Sequence, residues 1–252
     1  MAKAKRQNIL ITGASSGLGS GLAREFATRG ATLGLCARRT ERLEALAAEL
    51  TQSNPTTTVH LKALDVTDHT SVFDVFRGFA DEMGSIDRVI VNAGIGLGKA
   101  LGTGGFDQNL ATLQTNLIAG LAQIEAAMEI FRWQGSGHLV VMSSVSAFRG
   151  MRRSMTAYAA SKAGLAMIAE GLRAELNGRS DIQITTLFPG YIRTELNEQV
   201  HAPFMVDAQT GCRALAQAID KEPDTAIVPA WPWVPIATAM QHLPLSMVNR
   251  IT

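Results

Sequence analysis

The stretch Asn8-Ile9-Leu10-Ile11-Thr12-Gly13-Ala14-Ser15-Ser16-Gly17-Leu18-Gly19 runs from an apolar segment straight into a glycine turn. A short apolar run closed by glycine reads as a buried strand. Gly13 permits a tight turn off it, and Gly17 and Gly19 present no Cβ where a backbone must approach a pyrophosphate. The helical pattern starting near Ser16 aims its free N–H groups at the same anion. The spacing, G-x-x-x-G-x-G, differs from the G-x-G-x-x-G of the standard dinucleotide fingerprint. Gly13, Ser15, Ser16, Gly17, Leu18 and Gly19 are thus the expected phosphate-binding turn.

Outward from this turn the pattern repeats. Strands are predicted at 8–12, 31–36, 58–64, 88–92, 138–143, 182–187 and 226–228. Helices are predicted at 17–29, 40–50, 71–83, 106–133, 157–177 and 208–221. Gly30 ends the first helix, and Asp68 or Thr70 caps the third. Such alternation implies a doubly wound Rossmann-type α/β fold, a mostly parallel sheet of seven strands with helices on both faces. No linker or repeat divides residues 1–252, so one domain is expected.

Composition narrows the function. At 252 residues with 46% hydrophobic content, the chain can bury a sizeable core. A formal net charge of +1 offers nothing to nucleic acid. The basic N-terminal residues precede an apolar run too short for a signal peptide, and read as a solvated tail. Cys36 and Cys212 are the only cysteines, expected as buried small hydrophobes in a reducing, cytoplasmic compartment. Histidines 60, 69, 138, 201 and 242 lack ligand spacing, so no metal site is expected.

Two further clusters carry chemistry. Tyr158-Ala159-Ala160-Ser161-Lys162 sets a phenol and an ammonium four residues apart, on one helix face. A phenol titrates near pH 10, and a neighbouring ammonium should lower that value and suit it to proton transfer. A serine hydroxyl from Ser143, Ser144 or Ser146, near the end of the fifth strand, can stabilise charge on a carbonyl oxygen. The second strand ends in Arg38-Arg39, where dinucleotide sites that bind a ribose 2′-hydroxyl carry a carboxylate. Two guanidiniums attract a 2′-phosphate instead and favour NADP(H) over NAD, unless they serve only to pair with Glu41 or Glu44.

Together these landmarks resemble the short-chain dehydrogenase/reductase family, over residues 8 to about 195: Thr12-Gly13-x-x-x-Gly17-x-Gly19, Asp65-Val66, Asn92-Ala93-Gly94, Asn116, Ser143-Ser144, Tyr158-x-x-x-Lys162, and Pro189-Gly190 with Thr194. The resemblance implies catalytic Asn116, Ser144, Tyr158 and Lys162. Tyr158 would be the general acid, Lys162 would grip the nicotinamide ribose, and Asn116 would hold a water behind the lysine. Asp65 and Val66 would hold the adenine, and Asn92, Ala93 and Gly94 would steady the strands beside the cofactor. Pro189, Gly190, Ile192 and Thr194 would cover the nicotinamide. The family serine usually falls thirteen positions before the tyrosine, where this chain has Val145; Ser144 is fourteen before it, so the loop at 145–156 is read as one residue longer.

Substrate identity is less legible. Residues 195–211 stand where the family carries a substrate lid, and Pro203, Phe204, Met205 and Val206 are expected as an apolar wall. Arg149, Arg152 and Arg153 are expected as solvated loop charges, or as contacts for an acidic substrate tail. Residues 230–252, with Trp231 and Trp233 among prolines, form an apolar extension that Pro235 and Pro244 break too often to span a bilayer. It is expected to pack over the cleft or on another subunit, or to touch a membrane surface. The reading favoured is NADPH-dependent reduction of a ketone or other carbonyl. A lipid- or acyl-directed reductase at a membrane surface and an inactive NADP-binding regulator are the alternatives. A homodimer or homotetramer is expected through helices 106–133 and 157–177, whose outer faces are expected to carry Ala122, Ala126, Ala166 and Ala169.

Overall fold

A computed structural model describes residues 6–176, 181–199 and 202–251, the last three by backbone alone. Its sheet contains β1 (Asn8–Thr12), β2 (Thr32–Ala37), β3 (Val59–Ala63), β4 (Arg88–Val91), β5 (Ser136–Met142), β6 (Asp181–Pro189) and β7 (Thr225–Val228). All pairings are parallel, in the order β3-β2-β1-β4-β5-β6-β7. Leu10 of β1 faces one core layer with Phe76, Phe79, Phe131 and Val141. Ile9 and Ile11 face the other with Leu22, Phe26, Leu43 and Leu215. This two-sided burial explains why β1 reads as a continuous apolar run.

One layer of helices holds α1 (Gly17–Ala27), α2 (Thr40–Ser53) and α7 (Ala208–Lys221); the other holds α3 (His69–Met83), α5 (Ala119–Gln134) and α6 (Thr156–Leu176). Asp68 caps α3 by accepting from the Ser71 amide at 3.2 Å. The predicted end of α6 at Asn177 lies outside the described residues, as does His201. Cys36 and Cys212 are buried and free, and burial raises their thiols to about 12 and about 11. His138 is buried away from the glycine turn, where Arg88 Nε donates to its Nδ1 at 2.8 Å and its Nε2 meets Thr185 Oγ1 at 2.9 Å. This pairing assigns it a structural task. Among the described residues no helix is long and apolar enough to cross a membrane.

Two expectations need correction. The predicted helix 106–133 is three pieces: α4 (Phe106–Leu113), a π-helical turn (Gln114–Ile118) and α5. The apolar periodicity runs through the turn, which is why the interruption is invisible in the pattern. Ala126 and Ala169 are buried in the chain's own core and Ala166 beside Trp233, so they are not outer-face residues. The exposed apolar side chains of these helices are instead Phe106, Leu110, Ile118, Leu121, Trp133 and Met167.

The apolar extension folds into α8 (Ala230–His242) and α9 (Leu245–Ile251). Trp233 is buried with Val145, Ala166 and Phe188, and its ring meets Tyr191 at 5.4 Å between centroids. A Cβ on Gly190 would lie 2.2 Å from Trp233 Nε1, so glycine is required for the extension to seat. Trp231 remains 79% exposed. Gly190→Ala should therefore lower unfolding stability by about 1–3 kcal/mol through overpacking. In urea titrations the double variant with Trp233→Leu should lose less than the sum of the two single losses. A neutral Gly190→Ala would contradict this packing.

Candidate active site

The sheet order reverses between β1 and β4, and a cleft lies at the C-terminal ends of these strands. Gly13 has φ +65°, and a Cβ there would lie 2.8 Å from Ala93 Cα. Gly17 also has positive φ, +58°. Gly19 serves differently from expectation: its Cβ would strike the Gly13 carbonyl at 2.4 Å, so it packs the helix on the turn and does not line the cleft. No side chain caps the start of α1, which leaves its first amides available to an anion. This cradle suits a pyrophosphate.

At the far end of the turn, Arg39 Nη2 donates to Ser16 Oγ at 2.8 Å and Ser15 Oγ at 3.2 Å. Arg38 Nη1 lies 3.9 Å from the Asp65 carboxylate and is largely exposed. These contacts, with Glu195 3.8 Å from Arg39 Nη1, take the place of the expected Glu41 and Glu44 pairs. Burial opposes ionisation of Asp65, but bonds from the Thr67 amide and hydroxyl, with Arg38 nearby, outweigh it and hold its pKa below the usual value. Arg38, Arg39, Leu64, Asp65 and Val66 border one end of a cleft of about 480 Å³. The two guanidiniums give this end of the cleft its positive charge.

The other end of that cleft is bordered by Ser143, Ser144, Tyr158 and Lys162. β5 stops at Met142, so strand alternation does not extend to the serines. Ser144 instead caps a 3₁₀ turn (Val145–Phe148), where its Oγ accepts from Ser146 N at 3.2 Å and Ser146 Oγ at 3.0 Å. The Ser144 hydroxyl also lies close enough to the Tyr158 phenol to favour its ionisation. Ser143 Oγ turns away and donates to the Lys162 carbonyl at 2.8 Å. Ser146 is buried and absent from the cleft wall.

Lys162 is buried, its Nζ 5.9 Å from the Tyr158 ring centroid and donating to the Met142 carbonyl at 2.8 Å. Burial pulls its pKa down to about 8. The expectation that this lysine lowers the phenol does not hold for the chain's own groups. Burial raises Tyr158, the Ser144 hydroxyl works against that, and Tyr191 adds to it. Asn116 sits in the π turn, behind the cleft wall. Its Oδ1 accepts from Ile95 N at 2.8 Å, and its Nδ2 donates to Ile95 O at 2.9 Å and Ser161 Oγ at 3.2 Å. A Cβ on Gly94 would meet both Asn116 Oδ1 at 3.1 Å and Lys162 Nζ at 3.5 Å. Asn116 thus ties the β4 loop to the tyrosine helix.

Asn92, Ala93, Gly94, Pro189, Gly190, Ile192 and Thr194 also line the cleft. Cleft residues not expected as site residues are Ala37, Leu64, Ile95, Thr115 and Met142, while Glu195, Leu196 and Asn197 come from the start of the expected lid. The T-x-x-N spacing of Thr194 and Asn197 was a legible signal: Asn197 Oδ1 accepts from Thr194 N at 2.8 Å in a capping box. Within the expected lid, Val206 bridges to Ile192, and α7 already begins at Ala208. Arg149 donates to the Leu243 carbonyl at 3.3 Å, binding the C-terminal extension rather than facing the cleft, while Arg152 and Arg153 are exposed. Among the described residues no cluster of His, Cys, Asp and Glu is placed to hold a metal ion.

Comparison with known proteins agrees with this fold. The family model for short chain dehydrogenases matches residues 7–203. An uncharacterised oxidoreductase of Mycobacterium tuberculosis is 52% identical over 246 residues, 97% of each chain. An 11-beta-hydroxysteroid dehydrogenase 1A of Arabidopsis thaliana is 33% identical, over 88% of this chain and 68% of that protein. Levodione reductase shares the fold with a TM-score of 0.81 and 25% identity, covering 90% of this chain and 98% of the other. A Thermococcus sibiricus alcohol dehydrogenase complexed with 5-hydroxy-NADP gives 0.77 at 25% identity, covering 89% and 96%. With the motifs assembled around one cleft and these likenesses, the chain belongs to the short-chain dehydrogenase family.

Proposed function

We propose that the chain is an NADPH-dependent oxidoreductase that reversibly reduces a ketone or other carbonyl to an alcohol. The observation that carries this reading is the continuity of one cleft, from Arg38 and Arg39 past the glycine turn to Ser144, Tyr158 and Lys162. NADPH, when bound, supplies the hydride. Gly13, Ser15, Ser16, Gly17 and Leu18 hold its pyrophosphate, Asp65 and Val66 its adenine, and Arg38 and Arg39 its 2′-phosphate. Pro189, Gly190, Ile192 and Thr194 cover the nicotinamide, beside Asn92, Ala93 and Gly94.

Tyr158 gives its hydroxyl proton to the carbonyl oxygen, and the Ser144 hydroxyl donates to that same oxygen as charge develops. A phenol pKa raised by burial keeps Tyr158 protonated at neutral pH, the state a proton donor needs. Lys162 orients the nicotinamide ribose and carries positive charge below its pKa of about 8. Asn116 positions Lys162 and supports a water-linked path for the replacement proton. The exposed apolar side chains Leu97, Leu101, Leu196 and Phe204 suit a substrate with a sizeable apolar part. The similar proteins named for a hydroxysteroid and for levodione accord with an alcohol–carbonyl pair. Phe106, Ile118, Leu121 and Met167 expose apolar side chains on the helices expected to pair, which supports a homodimer or homotetramer.

Tyr158→Phe should lower turnover about 10²- to 10⁴-fold on the best substrate from a carbonyl panel, with NADPH affinity within a few-fold. Ser144→Ala should lose about 10²-fold or more in turnover, whereas Ser143→Ala should chiefly lower thermal stability. Near-normal turnover in the tyrosine variant would reject the chemistry.

Cofactor choice has a separate test. Arg38→Asp should cost NADPH about 1.5–3 kcal/mol, or roughly ten- to a hundredfold in dissociation constant, and should improve NADH. A wild type that binds NADH more tightly would reject the NADPH assignment.

A further inference from the structure

The carboxylate of Glu195 lies where two guanidiniums converge. Its oxygens accept from Arg42 Nη1 at 2.9 and 2.8 Å, and one is 3.8 Å from Arg39 Nη1. Arg39 is the same residue that donates to Ser15 and Ser16 of the glycine turn. It stands at the start of α2, one turn before Arg42, so both side chains extend from one face. Glu195 itself borders the cleft, immediately after the Thr194 cap. Arginine recognises carboxylate and phosphate oxygens by the same forked donation. The Glu195 carboxylate therefore marks an anion position at the edge of the cradle.

We infer that Glu195 is a cofactor-specificity residue, which competes with the 2′-phosphate of NADPH for Arg39 and Arg42, and that Arg42 is a further guanidinium of that phosphate subsite. The inference rests on the NADPH reading above. NADH carries a neutral hydroxyl at this position and leaves the Glu195 ion pairs intact. NADPH brings a phosphate dianion that repels the carboxylate and takes its two partners. The Arg39, Arg42 and Glu195 side chains are 44%, 45% and 59% exposed, so these pairs are weak and readily exchanged.

The test is Glu195→Gln in the full chain, with NADPH and NADH dissociation constants measured by calorimetry at low ionic strength. NADPH should bind about three- to fivefold more tightly, the size expected for releasing exposed ion pairs, while NADH stays within about twofold. In the Glu195→Gln background, Arg42→Gln should return NADPH affinity toward wild type and leave NADH unmoved. An unchanged NADPH/NADH ratio in Glu195→Gln, or equal shifts for both, overturns the competition. A wild type that prefers NADH overturns the NADPH reading and the competition with it. That failure is distinguishable because it shows before any substitution.

Discussion

The Asn92 side chain donates to the Thr12 carbonyl at 2.9 Å, and the Thr12 hydroxyl receives the amides of Asn92 and Ala93, each at 3.1 Å. These bonds draw the turn after β1 against the loop after β4, at the point where the strand order reverses. The approach is so close that Gly13 has no space for a methyl group. Everything at the C-terminal edge of the sheet follows from it. The Gly13–Leu18 turn is held open toward one side, and Gly94 is carried to within reach of Asn116 and Lys162. Phosphate cradle and Tyr158 pair therefore share one crevice.

The second constraint is the burial of Lys162. An ammonium removed from water must be held by hydrogen bonds, and here the Met142 carbonyl meets it from β5. Asn116, in the π turn, ties the loop after β4 to Ser161 beside this lysine; such a local widening of a helix often marks functional sites. Ser143 fixes the backbone of Lys162 itself. A lysine with its pKa near 8 sits at a cost to stability, since the unfolded chain binds the proton more readily. That cost fades as pH rises from about 8 toward the unfolded value.

The sequence made much of this legible, for identifiable reasons. Strands buried on both faces announce themselves as apolar runs, and the glycine turn requires residue types that few other structures require. Helix 106–133 misled because a π turn preserves apolar periodicity while shifting the face, which only packing against Ile95 and Ser161 reveals. Ala126, Ala166 and Ala169 misled because small side chains serve equally between helices of one chain and between two chains. Glu195 reads only as the start of a lid because it finds Arg42 across 153 positions, a partnership that no local pattern encodes. Ser143 and Ser144 are adjacent, and only the fold shows that the Ser143 hydroxyl is taken up by the Lys162 carbonyl.

The central claim is that one nicotinamide dinucleotide spans this crevice from Arg39 to Tyr158. A crystal structure of the protein with NADPH tests it most directly. The account predicts the pyrophosphate over Gly13–Leu18, the 2′-phosphate beside Arg39, and the nicotinamide between Thr194 and Tyr158 with its ribose on Lys162. A dinucleotide bound in the opposite direction, or with its nicotinamide away from Tyr158, would contradict it.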